Sequence, residues 1–522
     1  MNGLSKSRYV TFCQCEKALW LEAFKENEKK IDDIRKTIFE NGQRVGDIAK
    51  GLFGPYVDVT TYKQNSAKEK DLVVMVAKTQ EEMQKGSPVI CEASFFYEGN
   101  YCAVDILRKT ADGWAIYEVK SVTDINSSKK RDQLMEFTWD ISYQKWLLEQ
   151  NDVNVTGSYL VYLDNSYIRQ GALDLQKLFA IKDMGVIINK ELVDVPDNVS
   201  RAMQVLANPD EPEKELSKVC NKPYKCMFWD YCTRNLPKPS VFDVYGGKLG
   251  SKKADRFYFP SKLSLYQDGK VSFYDIKDEP LGHIQRMQVD CTLNGTEHID
   301  REGIRNFLNT LSYPLYFLDF ETMNDPIPQY DGTWSYQQVP FQYSLHIQES
   351  ETSGYIHKEF LAPSDGSDPR RALAEQLCYD IPMNVCTLAY NKQFECDRLK
   401  ELANIFPDLA KHLLNIRENI KDLIDPFEAG YYYVPVIEGS FSIKSVLPAL
   451  FPNDPSLDYH NLTGGVQNGN DAMSIFPKIK NMNPTDAQAA REALLRYCEL
   501  DTWAMVKVLE KLKKTYSATE HI

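Results

Sequence analysis

Between residues 89 and 122 apolar positions alternate with polar ones in three short runs, 89–92, 101–107 and Trp114–Lys120, separated by Gly99-Asn100 and Asp112-Gly113. Period-two alternation closed by turn residues predicts three consecutive β-strands. Ile141, Trp146, Leu147 and Leu148 then follow a helical spacing, and 158–163 predicts one more strand, so the order is α, β-meander, α, β. A second α/β unit opens at Tyr313. There, 315–320 is almost continuously apolar, as in a strand buried at the centre of a sheet. Residues 341–347 and 384–390 predict neighbouring strands. Residues 485–514, rich in Ala, Leu and Glu at helical apolar spacing, predict a last helix with Thr485 as its cap.

Between the two units, Pro237, Pro239, Gly246-Gly247, Ser251-Lys252-Lys253 and short strand-like pieces such as 270–274 predict a linker plus a small connecting unit. The expected division is 1–236, 237–312 and 313–522. It matches the count that 522 residues give at about 150 per folding unit. A composition of 43% hydrophobic and 26% charged residues is that of an ordinary globular chain.

The balance of 61 basic against 74 acidic side chains, net -13, argues against a protein that coats nucleic acid nonspecifically. It leaves room for a local basic groove, and metal-binding carboxylates would themselves add negative charge. Lys129-Lys130-Arg131 reads first as a solvated turn and second as part of such a groove. Residues 1–8 lack the apolar stretch of a secretory signal, and no run approaches the roughly 18 apolar residues of a membrane span. The expectation is a cytoplasmic protein without a membrane partner. Twelve cysteines in a reducing compartment then point to metal rather than disulfides.

Cys220, Cys226 and Cys232 are evenly spaced, and Cys15, or its neighbour Cys13, is available as a fourth ligand. Four soft thiolates suit an iron–sulfur cluster or a structural zinc. The remaining cysteines, Cys91, Cys102, Cys291, Cys378, Cys386, Cys396 and Cys498, read as core or neutral residues. Asp105 on one predicted strand and Glu118-Val119-Lys120 on the next form a second constellation. Carboxylates on adjacent strands can share a divalent ion while a lysine beside them stabilises charge on phosphorus. Alternation places Glu118 and Lys120 on one face. A third constellation is Asp319-Phe320-Glu321, then Asn391-Lys392-Gln393-Phe394-Glu395, then Tyr497-Cys498-Glu499-Leu500-Asp501. Such carboxylates can hold two divalent ions about 4 Å apart, and one helical turn puts Tyr497 and Asp501 on the same face.

The early cysteine followed by Lys17-Ala18-Leu19-Trp20-Leu21, the three late cysteines, Asp105, Glu-x-Lys and the glutamine of Asp140-Ile141-Ser142-Tyr143-Gln144 resemble the iron–sulfur branch of the RecB-family PD-(D/E)XK nucleases. That resemblance implies a [4Fe-4S] cluster on Cys15, Cys220, Cys226 and Cys232, with structural Zn²⁺ as the alternative. It implies metal on Asp105 and Glu118, and catalytic roles for Lys120 and Gln144. Relatives often place a histidine ahead of the aspartate, and no histidine precedes His283, so Gln43, Glu40 or a water takes that place. Glu92 reads as a solvated strand residue before an auxiliary ligand.

Residues 313–514 resemble the DEDD 3'→5' exonucleases, the RNase D and DnaQ-like group of the ribonuclease H-like fold. The resemblance implies Mg²⁺ or Mn²⁺ on Asp319, Glu321, Glu395 and Asp501, with Tyr497 aligning water. Glu395 stands where the family favours aspartate, and Asp397 is two residues out of register. Arg496 occupies the place of the histidine that marks one subtype, so Tyr497 marks the tyrosine subtype. Asp422, Ser442-Ile443-Lys444 and Asp471 lie between the motifs as candidate groove residues. The whole arrangement resembles a bacterial family of two-nuclease proteins. It implies an α/β chain in which a PD-(D/E)XK restriction-endonuclease-like domain precedes a ribonuclease H-like DEDD exonuclease domain. The implied substrate is DNA rather than RNA, as single strands or ends, in repair, recombination or defence. An RNA-processing 3'→5' exonuclease and a nucleic-acid-binding protein with one decayed core are the alternatives.

Overall fold

The alternating runs that follow Val89 become the centre of a seven-stranded sheet. Its strands are β1 (Leu4–Ser5), β2 (Val57–Asp58), β3 (Val89–Tyr97), β4 (Asn100–Lys109), β5 (Trp114–Lys120), β6 (Val155–Leu163) and β7 (Phe179–Asp183). They run in the order β2-β3-β4-β5-β6-β7, with β1 beside β4. The helices around this sheet include α1 (Lys6–Gln14), α2 (Glu16–Phe24), α3 (Asp33–Ala49), α4 (Leu72–Lys85) and α5 (Arg131–Glu149). β3, β4 and β5 are antiparallel, whereas β5 and β6 are parallel and need a crossover, which α5 supplies. Two cores form on the two faces, and the alternation changes phase at Glu92 and Asp105, which drop out of the β3–β4 pairing. Ile90, Val104, Leu107 and Ile116 pack with Tyr143 and Leu147 of α5, while Val89, Cys91, Ile106, Ala115 and Tyr117 pack with Val45 and Ala49 of α3.

The computed structural model describes residues 3–64, 66, 69–125, 127, 130–246 and 261–517. The chain is α/β and divides into two units: Met1–Arg234 with Asp325–Gln337, and Asn235–Asn324 with Gln338–Ile522. In the second unit, β8 (His298–Ile299) pairs with β14 (Tyr432–Tyr433). The main sheet there is built from β9 (Leu315–Asn324), β10 (Gln338–Gln348), β11 (Tyr355–Leu361), β12 (Cys386–Ala389) and β13 (Ile420–Asp422), in the order β11-β10-β9-β12-β13. β9 is central, antiparallel to β10 and parallel to β12, as its nearly unbroken apolar run requires.

Two local expectations are corrected. Residues 270–274 form a turn with one isolated bridge, Ser240 to Ser272, because the Asp275 carboxylate accepts the N–H groups of Val271 (3.1 Å) and Ser272 (2.8 Å) and closes the chain on itself. The last helix is Pro484–Ser517, and its cap is Asn483 rather than Thr485. Asn483 Oδ1 accepts the Asp486 N–H at 3.0 Å, with Pro484 in the first helical position, where its missing N–H costs nothing. Residues 237–312 belong to the second unit. Lys129, Gly247 and Ser251-Lys252-Lys253 lie outside the described residues. Among the described residues no helix is long and apolar enough to cross a membrane.

Candidate metal centres

The first centre forms where two strands part. The β4–β5 ladder pairs Ile106 with Tyr117 and goes no further toward Asp105 and Glu118, while β5 stays paired with β6 as far as Lys120. The freed Val119 N–H donates instead to Asp105 Oδ2 at 2.7 Å, which fixes that carboxylate at the fork. Glu118 is only 1% exposed, yet its carboxylate is fully engaged. Lys6 Nζ lies 3.1 Å from both its oxygens, Lys120 Nζ 2.6 Å from Oε1, and Gln144 Nε2 2.7 Å from Oε2. Asp140 completes the network, accepting from Lys120 (2.7 Å) and Gln144 (2.9 Å). Lys6 also reaches Asp105 at 3.4 Å. Burial pulls both lysines toward neutrality, but the surrounding carboxylates outweigh it and hold them above the ordinary ammonium range. For Lys6 the leading carboxylate is Asp105, and for Lys120 it is Asp140.

Lys6, Asp105, Glu118 and Lys120 line a cavity of about 760 Å³. Gln43 and Glu92 border it too, with Gln43 bonded to Asp47 and Glu92 paired to Lys70 at 2.8 Å. Glu92 takes a left-handed φ of 58°, a strained choice for a non-glycine residue. Tyr336, from the segment between β9 and β10, closes the cavity wall by donating its hydroxyl to the Ser121 carbonyl at 2.6 Å. Asp105, Glu118, Lys120 and Gln144 are therefore brought together. The residue types fit a divalent ion at Asp105 and Glu118, and the Lys6 ammonium stands where that charge would sit.

The second centre gathers side chains from three elements. β9 presents Asp319 and Glu321 two residues apart on one side. Glu395 sits in the first turn of the helix Gln393–Ile405, where the helix dipole favours a carboxylate. The turn into that helix puts Asn391 at φ 64°, and Asp422 holds it there by accepting the N–H groups of Asn391 (2.8 Å) and Lys392 (2.9 Å). Asp422 is thus a positioning residue. The last helix contributes Tyr497 and Asp501, both buried, and Tyr459 donates its hydroxyl to Asp501 Oδ1 at 2.6 Å. Lys444 lies over the rings of Tyr459 (5.1 Å) and Tyr497 (5.4 Å). Arg496 faces solvent near Glu492, Asp397 accepts from the Gln393 amide, and Asp471, in the first turn of a helix capped by Asn468, accepts the Gln467 N–H and the Asn468 amide.

All four carboxyls are pushed up. Burial, followed by the charges of Asp501, Glu321 and Glu395, raises Asp319 well above the carboxylate range. Burial and Asp501 do the same to Glu321 against the opposing charge of Lys444. Burial takes Glu395 to about 8. Asp501 rises to about 6, also through burial, with the Tyr459 hydrogen bond and Lys444 opposing. Glu395 Oε2 is buried without a hydrogen-bond partner. Crowded carboxylates with an orphaned oxygen fit divalent cations, whose charge would draw every one of these pKa values down.

The four predicted cysteines line one pocket with Leu21, Phe228 and Trp229. Gln14 ties the early helix to the late loop by donating to the carbonyls of Val219 and Lys222, each at 3.1 Å. Backbone N–H groups of Ser217 and Phe228 point at Cys220 Sγ and Cys226 Sγ, each at 3.5 Å, a contact that favours thiolate ligands. Burial raises Cys232 to about 11 and moves Cys15 and Cys226 in the same direction. Cys13 bonds Tyr9 instead. The donor set fits a four-thiolate cluster or zinc.

Residues 316–442, which hold Asp319, Glu321, Glu395 and Asp422, match a family model described as a domain of unknown function, DUF2779. An uncharacterized protein of Ureaplasma parvum serovar 3 is 27% identical over 242 residues, 42% of this chain and 34% of its own length. An uncharacterized protein of Mycoplasma genitalium is 26% identical over 226 residues, 39% of this chain and 33% of its own. The chain thus spans about a third of the length of these relatives. No solved structure matches.

Sequence reasoning missed Lys6, Asp140, Tyr459 and the closeness of Cys498 Sγ to Asp319 Oδ2, 3.8 Å. Asp140 was within reach, since it lies one helical turn before Gln144 and so shares its face. Lys6 and Tyr459 carried no local signal, because each meets its centre only through contacts distant in sequence.

Proposed function

We propose that the chain is a metal-dependent nuclease with two sites, which hydrolyses phosphodiesters of DNA at single strands or ends. In this reading the first unit is a RecB-like PD-(D/E)XK nuclease and the second a DEDD-type exonuclease of the tyrosine subtype. The observation that carries it is the convergence of Asp319, Glu321, Glu395 and Asp501 from three elements into one buried cluster of raised pKa values. Asp319, Glu321, Glu395 and Asp501 would hold two divalent ions, which would supply an activated water and neutralise the leaving oxygen. The chain's own residues then have separable tasks. Asp319 and Glu321 hold the ions, Asp501 is aimed by Tyr459, Tyr497 orients the attacking water through its hydroxyl, and Lys444 offsets excess negative charge. At the first centre Asp105 and Glu118 bind metal, Lys120 stabilises the phosphoryl charge, and Gln144 with Asp140 keeps Glu118 and Lys120 in register.

Four thiols around one pocket support a [4Fe-4S] cluster on Cys15, Cys220, Cys226 and Cys232. Anaerobically purified protein is expected to be brown, and Cys226→Ser to bleach it. A colourless protein with stoichiometric zinc overturns the iron–sulfur assignment. All twelve cysteines are unpaired, which supports action in the reducing cytoplasm.

The deciding experiment digests 3'-labelled and 5'-labelled DNA and RNA oligonucleotides with Mn²⁺ or Mg²⁺, using wild type, Asp319→Ala, Glu118→Gln and the double variant. Loss of separate activities in the two single variants supports the reading, and RNA turnover exceeding DNA turnover moves the substrate to RNA. Unchanged digestion by the double variant sinks it. A second reading, in which the first centre binds nucleic acid without cutting, is favoured by Lys6, whose ammonium already sits between Asp105 and Glu118. It predicts that Glu118→Gln alters binding and leaves cleavage untouched in an Asp319→Ala background.

A further inference from the structure

We propose that Cys498 is a ligand of the second centre and turns it toward thiophilic divalent cations such as Zn²⁺ and Co²⁺. This rests on the reading of Asp319 and Glu321 as metal ligands. Cys498 follows Tyr497 on the last helix, is 0% exposed, and has its Sγ 3.8 Å from Asp319 Oδ2. One ligand atom each from Asp319, Glu321 and Cys498 lies within 4.8 Å of the others. For a tetrahedral ion about 2.3 Å from sulfur and about 2.0–2.2 Å from oxygen, the sulfur–oxygen separation is roughly 3.5–3.7 Å. The observed 3.8 Å between Cys498 and Asp319 is therefore already close to the span that pair needs, and Glu321 closes in from within 4.8 Å.

An independent observation comes from a different element of the same centre, the helix Gln393–Ile405. Glu395 is 3% exposed, and its Oε2 has no hydrogen-bond partner. Glu395 adds its charge to those of Asp501 and Glu321 at Asp319, so this unpartnered oxygen belongs to the same cluster of carboxyls. Mg²⁺ takes oxygen ligands in an octahedron and has little use for a thiolate, whereas Zn²⁺ and Co²⁺ accept sulfur readily. On ligation the S–H proton leaves to solvent and the sulfur takes the metal in its place. Because Asp319 and Glu321 are shared, Zn²⁺ bound through Cys498 competes with the Mg²⁺ or Mn²⁺ pair and inhibits hydrolysis.

The rival role for this thiol is a weak hydrogen bond to Asp319, whose Oδ2 and carbonyl oxygen lie 3.8 and 3.9 Å away. Serine keeps that role and removes sulfur, so Cys498→Ser separates the two. The experiment titrates Co²⁺ into full-length protein whose thiol cluster is already loaded, for wild type, Cys498→Ser and Cys498→Ala, with the fold of each checked by circular dichroism. Wild type is expected to gain a thiolate-to-cobalt charge-transfer band that both variants lack. Removing the sulfur is expected to weaken Co²⁺ and Zn²⁺ affinity by about tenfold or more, as loss of even a partner of a metal ligand does, with Mg²⁺ affinity changed less than about twofold. Equal bands and equal Co²⁺ affinity in wild type and Cys498→Ser overturn the proposal. If the band depends on Cys498 but no oligonucleotide is digested, the metal site stands and the nuclease reading falls. If Asp319→Ala removes exonuclease activity but the band is indifferent to Cys498, the reverse holds.

Discussion

The two centres solve the same electrostatic problem in opposite ways. At the first, three carboxylates, Asp105, Glu118 and Asp140, face two ammonium groups, Lys6 and Lys120, within 3.4 Å, so the charge is largely balanced by the chain itself. At the second, four carboxyls meet, Glu321, Glu395 and Asp501 buried and Asp319 half-buried, and Lys444 is the basic residue that opposes them at Glu321 and Asp501. A self-compensated cluster holds its shape without an ion, whereas a repulsive one stores its misfit as raised pKa values until a cation arrives. The first centre should therefore gain little stability from metal and the second a great deal.

The largest expected effect is chemical. Asp319→Ala is expected to lower 3'→5' exonuclease turnover by at least about a hundredfold. Tyr497→Phe is expected to reduce it less while Mn²⁺ affinity stays unchanged, as measured on 3'-labelled oligonucleotides. Next comes stability. Glu118, on a strand buried from Trp114 through Glu118, is 1% exposed and bonded to Lys6, Lys120 and Gln144. Truncation to alanine leaves Lys6 with Asp105 and Lys120 with Asp140 but unbalances the cluster, and should cost about 3 kcal/mol, whereas Glu118→Gln keeps the shape. Urea unfolding of the two variants measures the gap, and equal midpoints would break the contrast between the centres.

A pH-dependent effect of metal follows in size. A carboxyl whose pKa is higher in the folded state holds its proton more tightly there. Its stabilising contribution is full below the unfolded value near 4 and is lost as pH rises past the folded one. With Asp501 at about 6 and Glu395 at about 8, metal-free protein should lose stability between pH 4 and pH 8 from these groups. Saturating Mn²⁺, worth about 2.7 kcal/mol at a hundred times its Kd, should raise the melting temperature more at pH 8 than at pH 5. Calorimetry with Asp319→Ala as the control checks it. The smallest effect sharpens the first centre. Lys6→Met removes the resident cation and should tighten Mn²⁺ binding there by about tenfold, an effect on the scale of losing a partner of a metal ligand, read by isothermal titration in an Asp319→Ala background.

The meander, the parallel strand after α5, the central β9 strand and the long last helix were legible because each is a local period repeated over several residues. The same property made Glu118 with Lys120, Asp319 with Glu321, and Tyr497 with Asp501 readable as pairs, since residues two apart on a strand or four apart on a helix share a face. Where the reading slipped, short-range hydrogen bonds had decided the outcome. Asp275 closes 270–274 into a turn, and Asn483 rather than Thr485 caps the last helix.

By itself, then, the sequence determined which face each acidic side chain occupies and that four cysteines bracket the first unit, because periodicity and spacing are properties of the local chain. Only the tertiary structure decided what meets those faces. Lys6 comes 112 residues to Glu118 and Tyr459 comes 42 residues to Asp501, and Cys498 turns from a neutral residue into a neighbour of Asp319 across 179. Such contacts depend on how strands diverge and helices pack, and no local pattern encodes them.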